Sequence, residues 1–225
     1  GNFAMTWRDE FNGSTLNSSN WSFMTPWGGQ FSQGEEYFTL DDYSVQNDLL
    51  SIFFRRRQTP IFVDPFNRTY NTVMLHTKGK VSVNSGQYIE FKLKPAKGNG
   101  FWSIAWIMPN SWPSDCASGP LAQNYEMDVF EHLGRSPNQL TMTTHVRSPS
   151  NCSQLDHDST TYTGSDLTTD FHTVGVNWFD TYTEIYLDRV KRFTTSKIAG
   201  YNEAGFIIVS GPFGRAGDDC AGCAD

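Results

Sequence analysis

The chain has 225 residues and a formal net charge of −7, and charged residues make up only 18% of it. This acidic balance argues against a nucleic-acid partner, because nucleic acids are bound by basic surfaces. A membrane partner is equally unexpected, since no apolar run approaches the roughly 20 residues that span a bilayer. Aromatic residues make up 15%, and glycine and proline are scattered among short apolar segments. This composition is typical of an all-β protein with many turns, and we expect one domain over residues 1–225.

The first part of the chain predicts two strands separated by a long loop. Residues 5–11 have the composition of a strand, and residues 49–54 form a continuous apolar strand. Residues 17–40 are rich in Gly, Ser and aromatic residues, and a loop of this length favours a functional rim over a simple connection. The second strand ends in Arg55, Arg56 and Arg57. Their guanidinium groups suit a sulfate or uronate, although such clusters are more often solvated strand ends.

Two further strands are predicted before the middle of the chain. Residues 86–94 alternate apolar and polar side chains, which is typical of a half-buried antiparallel strand. Residues 100–108 predict the next strand, on which alternation places Trp106 and Met108 on one face.

Three carboxylates punctuate the apolar segment Tyr-Glu-Met-Asp-Val-Phe-Glu-His-Leu-Gly at residues 125–134. Alternation on a strand places Glu126 and Asp128 on one face. Glu131 has the opposite parity, so it shares that face only if a β-bulge adds one residue near Val129 and Phe130. We expect this bulge, with the apolar side chains packed beneath the carboxylates.

Acidic groups crowded on one face of a strand repel one another, so their arrangement needs a functional reason. Retaining glycoside hydrolysis provides one, because it uses two carboxyl groups about 5 to 5.5 Å apart. Glu126 is predicted to be the nucleophile and Glu131 the acid/base. Asp128 is predicted to keep the pair in opposite protonation states. The alternative is a solvated charge cluster on an edge strand, which protects against aggregation.

The remainder of the chain predicts five more strands. Residues 139–146 are expected to return beside the carboxylate strand and to bring His145 near it. Residues 171–178 and 183–188 follow, and Asp188 and Arg189 form a plausible hairpin turn into a strand at residues 190–194. Residues 206–210 are the last convincing strand. The tail after Gly211 shows no strand pattern.

Several motifs together resemble glycoside hydrolase family sixteen in its bulged Glu-x-Asp-x-x-Glu form, which is found in laminarinases, agarases, porphyranases and carrageenases. Glu126, Asp128 and Glu131 match this signature, and the motifs of the flanking strands occur in the family's order. These motifs are Trp-Arg-Asp-Glu-Phe-Asn-Gly at residues 7–13, His-Thr-Lys-Gly-Lys at 76–80, Phe-Trp-Ser-Ile-Ala-Trp-Ile-Met-Pro at 101–109 and Phe-His-Thr-Val-Gly-Val-Asn-Trp at 171–178. The family's closing strand is not recognised, so either the chain is truncated or its sheet edge is covered differently.

The resemblance implies a β-sandwich jelly roll of the concanavalin A-like kind, with a concave substrate cleft. It also implies an endo-acting, retaining glycoside hydrolase of β-linked polysaccharide, with laminarin-type β-1,3-glucan as the first choice. Algal galactans such as agarose, porphyran and carrageenan are the nearest alternative substrates. A polysaccharide-binding protein without catalysis, or a transglycosylase, also remains open. No redox cofactor or catalytic metal is expected, and a structural calcium site is left open.

Five residues are predicted to bind substrate. Trp106 and Trp112 resemble the family's cleft tryptophans, whose flat faces bind the apolar faces of sugars. His145 corresponds to a histidine that touches substrate in relatives. Glu36 lies in a segment that resembles the laminarinase Asn-Glu-Leu-Gln-Tyr-Tyr stretch, whose polar side chains grip sugar hydroxyls. Trp27, on the predicted rim, either stacks on a sugar or packs on its own loop.

The four cysteines are Cys116, Cys152, Cys220 and Cys223, an even number that allows three pairings. Cys116 and Cys152 flank the carboxylate strand and its predicted neighbour, so we expect a disulfide between them and an oxidising compartment. The first residues lack the regions of a secretory signal, which indicates a mature or engineered start. The expected disulfide indicates a secreted protein. We also expect a monomer.

Overall fold

The computed structural model describes residues 4–30, 34–63, 66–112, 125–147 and 154–214. Within these ranges no helix is long and apolar enough to cross a membrane. The regular elements are strands. In chain order they are β1 (Ser22–Phe23), β2 (Glu36–Phe38), β3 (Tyr43–Gln46), β4 (Leu49–Ile52), β5 (Arg55–Val63), β6 (Phe66–Thr72), β7 (Met74–His76), β8 (Tyr88–Leu93), β9 (Trp102–Pro109), β10 (Tyr125–Leu133), β11 (Gln139–Arg147), β12 (Gln154–Thr163), β13 (His172–Trp178), β14 (Thr183–Leu187), β15 (Val190–Thr195) and β16 (Gly205–Ser210).

Two antiparallel sheets form the main layers. The larger sheet has seven strands in the order β1-β7-β16-β9-β10-β11-β12, and the smaller has four in the order β15-β14-β13-β8. Strands that are distant in sequence, such as β7, β16 and β9, are neighbours in the larger sheet. This all-β arrangement confirms the predicted jelly-roll sandwich.

The core contains apolar side chains from both main sheets. Met127 and Val129 of β10 belong to the same fully buried cluster as Val174 and Val176 of β13 and Ile185 of β14. Alternation along each strand directs these residues inward, and removing their apolar surface from water is the main stabilising term. The opposite face of the larger sheet is therefore available for other contacts.

Two of the hairpins have tight turns in which both central residues have positive φ. Asn47 and Asp48 join β3 to β4 with φ of 54° and 57°, and Asp188 and Arg189 join β14 to β15 with φ of 50° and 64°. Two successive left-handed residues are typical of the turn that matches the twist of paired strands. The turn predicted at Asp188 and Arg189 is confirmed.

The strand predicted at residues 5–11 is wrong, because this segment pairs with no strand among the residues that the structure describes. Side chains hold it instead. Trp21 Nε1 donates a hydrogen bond to Asp9 Oδ2 at 2.9 Å, and the Trp7 and Trp21 ring centroids lie 6.2 Å apart. The aromatic residues that gave this segment its strand-like composition pack on the core, and the segment does not join a sheet.

A third sheet, in the order β2-β6-β5, covers part of the larger sheet. Its strand β2 runs parallel to β6, and Phe38 of β2 is fully buried. Phe38 packs with four buried residues of the larger sheet, Met74, Met108, Phe206 and Ile208. The four cysteines and the tail beyond residue 214 lie outside the described residues, so the disulfide and the missing closing strand stay predictions.

Candidate active site

Strand β10 contains the predicted bulge. Against β9, Asp128 pairs with Trp106 whereas Phe130 pairs with Ala105, so two residues of β10 advance for one of β9. The pairing with β11 shows the same shift between Asp128 and Glu131. Val129 and Phe130 are consequently both fully buried in the core. The bulge is confirmed, and it returns Glu131 to the face of Glu126 and Asp128.

We call this side of the larger sheet the carboxylate face. Residues directly opposite each other on neighbouring strands point to the same face, so the register defines rows across it. Glu126 lies opposite His145, Asp128 lies opposite Thr143, and Glu131 lies opposite Thr141. Glu126 and Glu131 are half-buried, whereas Asp128 between them is only 6% exposed. The sheet thus presents two partly accessible carboxylates on either side of a buried one.

His145 contacts the central carboxylate. Its Nε2 lies 3.1 Å from Asp128 Oδ2. One donor atom each from Glu126, Asp128 and His145 lie within 4.8 Å of one another. The prediction that β11 brings His145 to the carboxylates is confirmed. Carboxylate oxygen and imidazole nitrogen are donors that a divalent transition metal accepts, so these three residues are the candidate metal ligands of the described chain.

The three predicted tryptophans meet on one side of β10. Trp106 lies opposite Asp128, and its Nε1 donates a hydrogen bond to Ser210 Oγ at 3.3 Å. The Trp27 ring centroid is 6.3 Å from that of Trp106 in an edge-on arrangement, with Trp27 40% exposed. Trp112 is half-buried and packs on the apolar cluster that includes Met108. Their roles in binding sugar stay predictions, but the structure brings their rings to the same flank.

A buried histidine and a lysine complete this flank. His76 lies in the row of Trp106 and Asp128, because Ile208 pairs with both His76 and Trp106. Burial, together with the nearby Lys78 and Lys80 cations, lowers the pKa of His76 from 6.5 to about 4. His76 is therefore neutral at neutral pH. Burial also lowers the pKa of Lys78, whose Nζ donates a hydrogen bond to the Trp112 carbonyl.

The structure does not support Glu36 as a sugar ligand. Its side chain is fully buried, and its Oε2 accepts a hydrogen bond from the Phe213 backbone N–H at 3.1 Å. Its Oε1 accepts a longer one from the Gly34 backbone N–H at 3.4 Å. Because Glu36 and Phe38 have the same parity on β2, both point toward the interior. Glu36 therefore ties two loops together, and the neighbouring Tyr37 is the residue of β2 that points outward.

Arg55 and Arg57 of the arginine cluster contact other residues of the protein. Arg55 lies 2.7 Å from Asp42 Oδ1, and its guanidinium is 4.7 Å from the Phe53 ring centroid. Arg57 donates a hydrogen bond to Asn71 and lies 5.1 Å from the Tyr37 ring centroid. They begin the separate strand β5 rather than ending the predicted strand at residues 49–54. These contacts favour a structural role over binding a sulfate.

Sequence reasoning missed strand β12, which extends the carboxylate face at the sheet edge. His157, Ser159 and Thr161 are exposed and lie opposite His145, Thr143 and Thr141, respectively. Residues 157–161 are all polar, so they lack the apolar alternation that identifies a half-buried strand. Pairing with β11 places these side chains beside the carboxylates.

Comparisons with known proteins agree with this geometry. The family model described as glycosyl hydrolases family 16 matches residues 38–208. A glucan endo-1,3-beta-glucosidase A1 of Niallia circulans is 28% identical over 197 residues, and a beta-glucanase of Rhodothermus marinus is 27% identical over 184 residues. The matches include 82% and 77% of this chain but only 28% and 59% of the relatives. The chain thus spans less than two thirds of either relative's length.

Solved structures share the fold. The endo-beta-1,3-glucanase from Pyrococcus furiosus superposes with a TM-score of 0.76 at 24% identity, over 96% of this chain and 87% of that one. Porphyranase B from Zobellia galactanivorans gives a TM-score of 0.77 at 19% identity, over 91% of this chain and 78% of that one. At these identities the likeness establishes the architecture and leaves the substrate to other arguments.

Proposed function

The chain belongs to glycosyl hydrolases family 16, and from that premise we propose that it is a retaining, endo-acting hydrolase of β-1,3-glucan of the laminarin type. The observation that carries the proposal is the bulge in β10, which gathers Glu126, Asp128 and Glu131 on one face of the sheet. A regular strand would direct the Glu131 carboxylate into the core, where an ionised group is strongly disfavoured.

The proposed reaction has two steps that exchange the roles of the carboxyl groups. Glu126 attacks the anomeric carbon, and the bond to the leaving oxygen breaks as Glu131 protonates that oxygen. Glu131 then removes a proton from water, which attacks the glycosyl-enzyme ester and releases Glu126. Asp128 is buried beside Glu126 and contacts His145. In this position Asp128 is proposed to hydrogen-bond a neighbouring carboxyl group and so to keep Glu126 and Glu131 in opposite protonation states.

The tryptophan-bearing flank of β10 and the relatives both support a β-glucan as the substrate. Trp27, Trp106 and Trp112 offer aromatic surface to sugar rings. Both curated relatives are named as glucanases. The arginine cluster is the group that the sequence suggested for binding a sulfate, but Arg55 and Arg57 already contact other residues of the protein. A neutral glucan therefore suits the chain better than a sulfated galactan.

Substitution of each proposed catalytic residue tests the mechanism. Glu126→Gln and Glu131→Gln should each lower kcat on laminarin by about 100- to 10,000-fold, the range of positioned acid/base catalysis. Both variants should still bind laminarin. Glu90→Gln is the matched control, because Glu90 is an exposed carboxylate on β8 of the other sheet. Normal turnover by either of the first two variants would refute the assignment.

The galactan alternative has one observation in its favour, the structural likeness to porphyranase B. Release of reducing ends from laminarin, mixed-linkage glucan, agarose, porphyran and carrageenan separates the two substrate classes. Products that appear only from a galactan would replace the glucan proposal. Binding of a polysaccharide without any product would indicate a non-catalytic protein, and lengthening of added oligosaccharide acceptors would indicate a transglycosylase.

We further propose that the protein acts as a secreted monomer. Its expected substrate is a polymer found outside the cell, and a disulfide between Cys116 and Cys152 would suit an oxidising compartment. Thiol titration of the denatured protein before and after reduction tests the disulfide. Four reactive thiols before reduction would contradict it, and light scattering at several concentrations tests the monomer.

A further inference from the structure

Strand β10 divides the carboxylate face into two flanks of opposite chemistry. The flank on β9, β16 and β7 is largely apolar and buried beneath Phe38, with Trp106 at its inner edge. On β11 and β12, the described side chains in the rows of Glu126, Asp128 and Glu131 are all polar. We call this second flank the polar flank, and it consists of Thr141, Thr143, His145, His157, Ser159 and Thr161.

The polar flank is continuous with the proposed catalytic groups. One row runs from Glu126 through His145 to His157, and the two imidazole centroids lie 5.8 Å apart. Another runs from Glu131 through Thr141 to Thr161, whose hydroxyl oxygens are 3.3 Å apart. Each row crosses two strand spacings, which is about 10 Å. The flank therefore reaches from the point of cleavage to the edge of the sheet.

Side chains along these rows become more exposed from β11 to the edge strand β12, as expected for an open binding surface. Thr143 on β11 is only 5% exposed, whereas its partner Ser159 on β12 is exposed. His157 and Thr161 are exposed too. A solvated edge strand would also be polar, but it would not need an imidazole in line with the histidine that contacts Asp128. Imidazole and hydroxyl groups both donate and accept hydrogen bonds, as sugar hydroxyls do.

We propose that the polar flank is a sugar subsite adjoining the point of cleavage, which recognises hydroxyl groups rather than ring faces, with His157 as its outer ligand. This inference rests on the proposed function, because it assigns one side of the same polysaccharide to this flank. His157 is a substrate-positioning residue in this scheme and takes no part in proton transfer. The tryptophans beside the apolar flank hold the chain by stacking, and the polar flank orients the sugar on the other side of the cleaved bond.

The test measures kcat/KM for β-1,3-linked gluco-oligosaccharides of increasing length. His157→Ala should lower kcat/KM by about 2- to 10-fold, the effect of one net hydrogen bond, for oligosaccharides long enough to span both flanks. For the shortest cleaved substrate the change should be smaller. His157→Gln, which keeps a donor and an acceptor, should restore part of the loss.

Thr194→Ala is the control, because Thr194 is an exposed residue on β15 of the other sheet. Urea unfolding of all variants separates lost binding from lost stability. A His157→Ala enzyme that matches Thr194→Ala at every length overturns the subsite while leaving the glucanase proposal intact. A wild-type protein that cleaves no β-1,3-glucan overturns both.

Discussion

Replacing His76 by glutamine should make the protein less sensitive to mild acid. The His76 side chain is only 7% exposed, and its Nδ1 accepts a hydrogen bond from the Lys78 backbone N–H at 3.3 Å. Burial and the two nearby lysines hold its pKa at about 4, compared with 6.5 for a solvated histidine. The unfolded chain therefore takes up a proton at a higher pH than the folded one. The stability that the low pKa of His76 contributes is fully present above pH 6.5 and is lost as the pH falls toward 4.

The size of this effect follows from the two pKa values. Each pH unit between them contributes about 1.4 kcal/mol, so the full loss approaches about 3 kcal/mol. Between pH 7.5 and pH 5.0, where the folded form is still neutral, the contribution is about 2 kcal/mol. Wild type should therefore lose about 2 kcal/mol more than His76→Gln over this interval. Glutamine lacks the titration but retains an oxygen that can accept the Lys78 N–H.

Urea unfolding at pH 7.5 and pH 5.0 provides the assay. For each protein the change in unfolding free energy between the two pH values is measured, and comparing these changes cancels any effect of altered packing that does not depend on pH. Burial also lowers the pKa of His132, but His132 is present in both proteins and its contribution cancels. An equal loss of stability in wild type and His76→Gln would refute the reasoning. It would mean that His76 is protonated in the folded protein, or that it is more solvated than its position on β7 indicates.

Two further substitutions test the site. Trp106→Ala should raise KM for laminarin about 10-fold with a smaller change in kcat, because the substitution removes aromatic surface from the substrate side of β9. Initial rates measure both constants, and an unchanged KM would show that Trp106 does not bind substrate. Glu36→Gln should lower the free energy of unfolding by about 2 to 4 kcal/mol, because Arg68 is buried and the Glu36 charge stabilises its cation. KM should stay near the wild-type value, whereas a raised KM with unchanged urea stability would restore Glu36 as a sugar ligand.

The sequence was most informative where the argument depended on parity along a single strand. The spacing of Glu126, Asp128 and Glu131 required one extra residue, and the register of β10 with both neighbours contains it. The hairpin turn at Asp188 and Arg189 was equally local. Such features depend on a few neighbouring dihedral angles, so the residues within them carry most of the necessary information.

The predictions failed where pairing with a distant segment decided the outcome. Residues 5–11 have strand composition, yet Asp9 and Trp7 attach them to Trp21 by side chains. Glu36 is a polar residue in a loop-like segment, but parallel pairing of β2 with β6 turns it inward. Nothing within either segment specifies its partner.

The sequence by itself determined that this is an all-β chain with three carboxylates on one side of a bulged strand, because alternation and bulging are local properties of the backbone. Only the tertiary structure decided what surrounds them. It placed Trp27 beside Trp106 on one flank, and it placed His157 beside His145 on the other. These neighbours come from strands and loops far apart in the chain, and the sheet order that joins them is set by packing of the whole core.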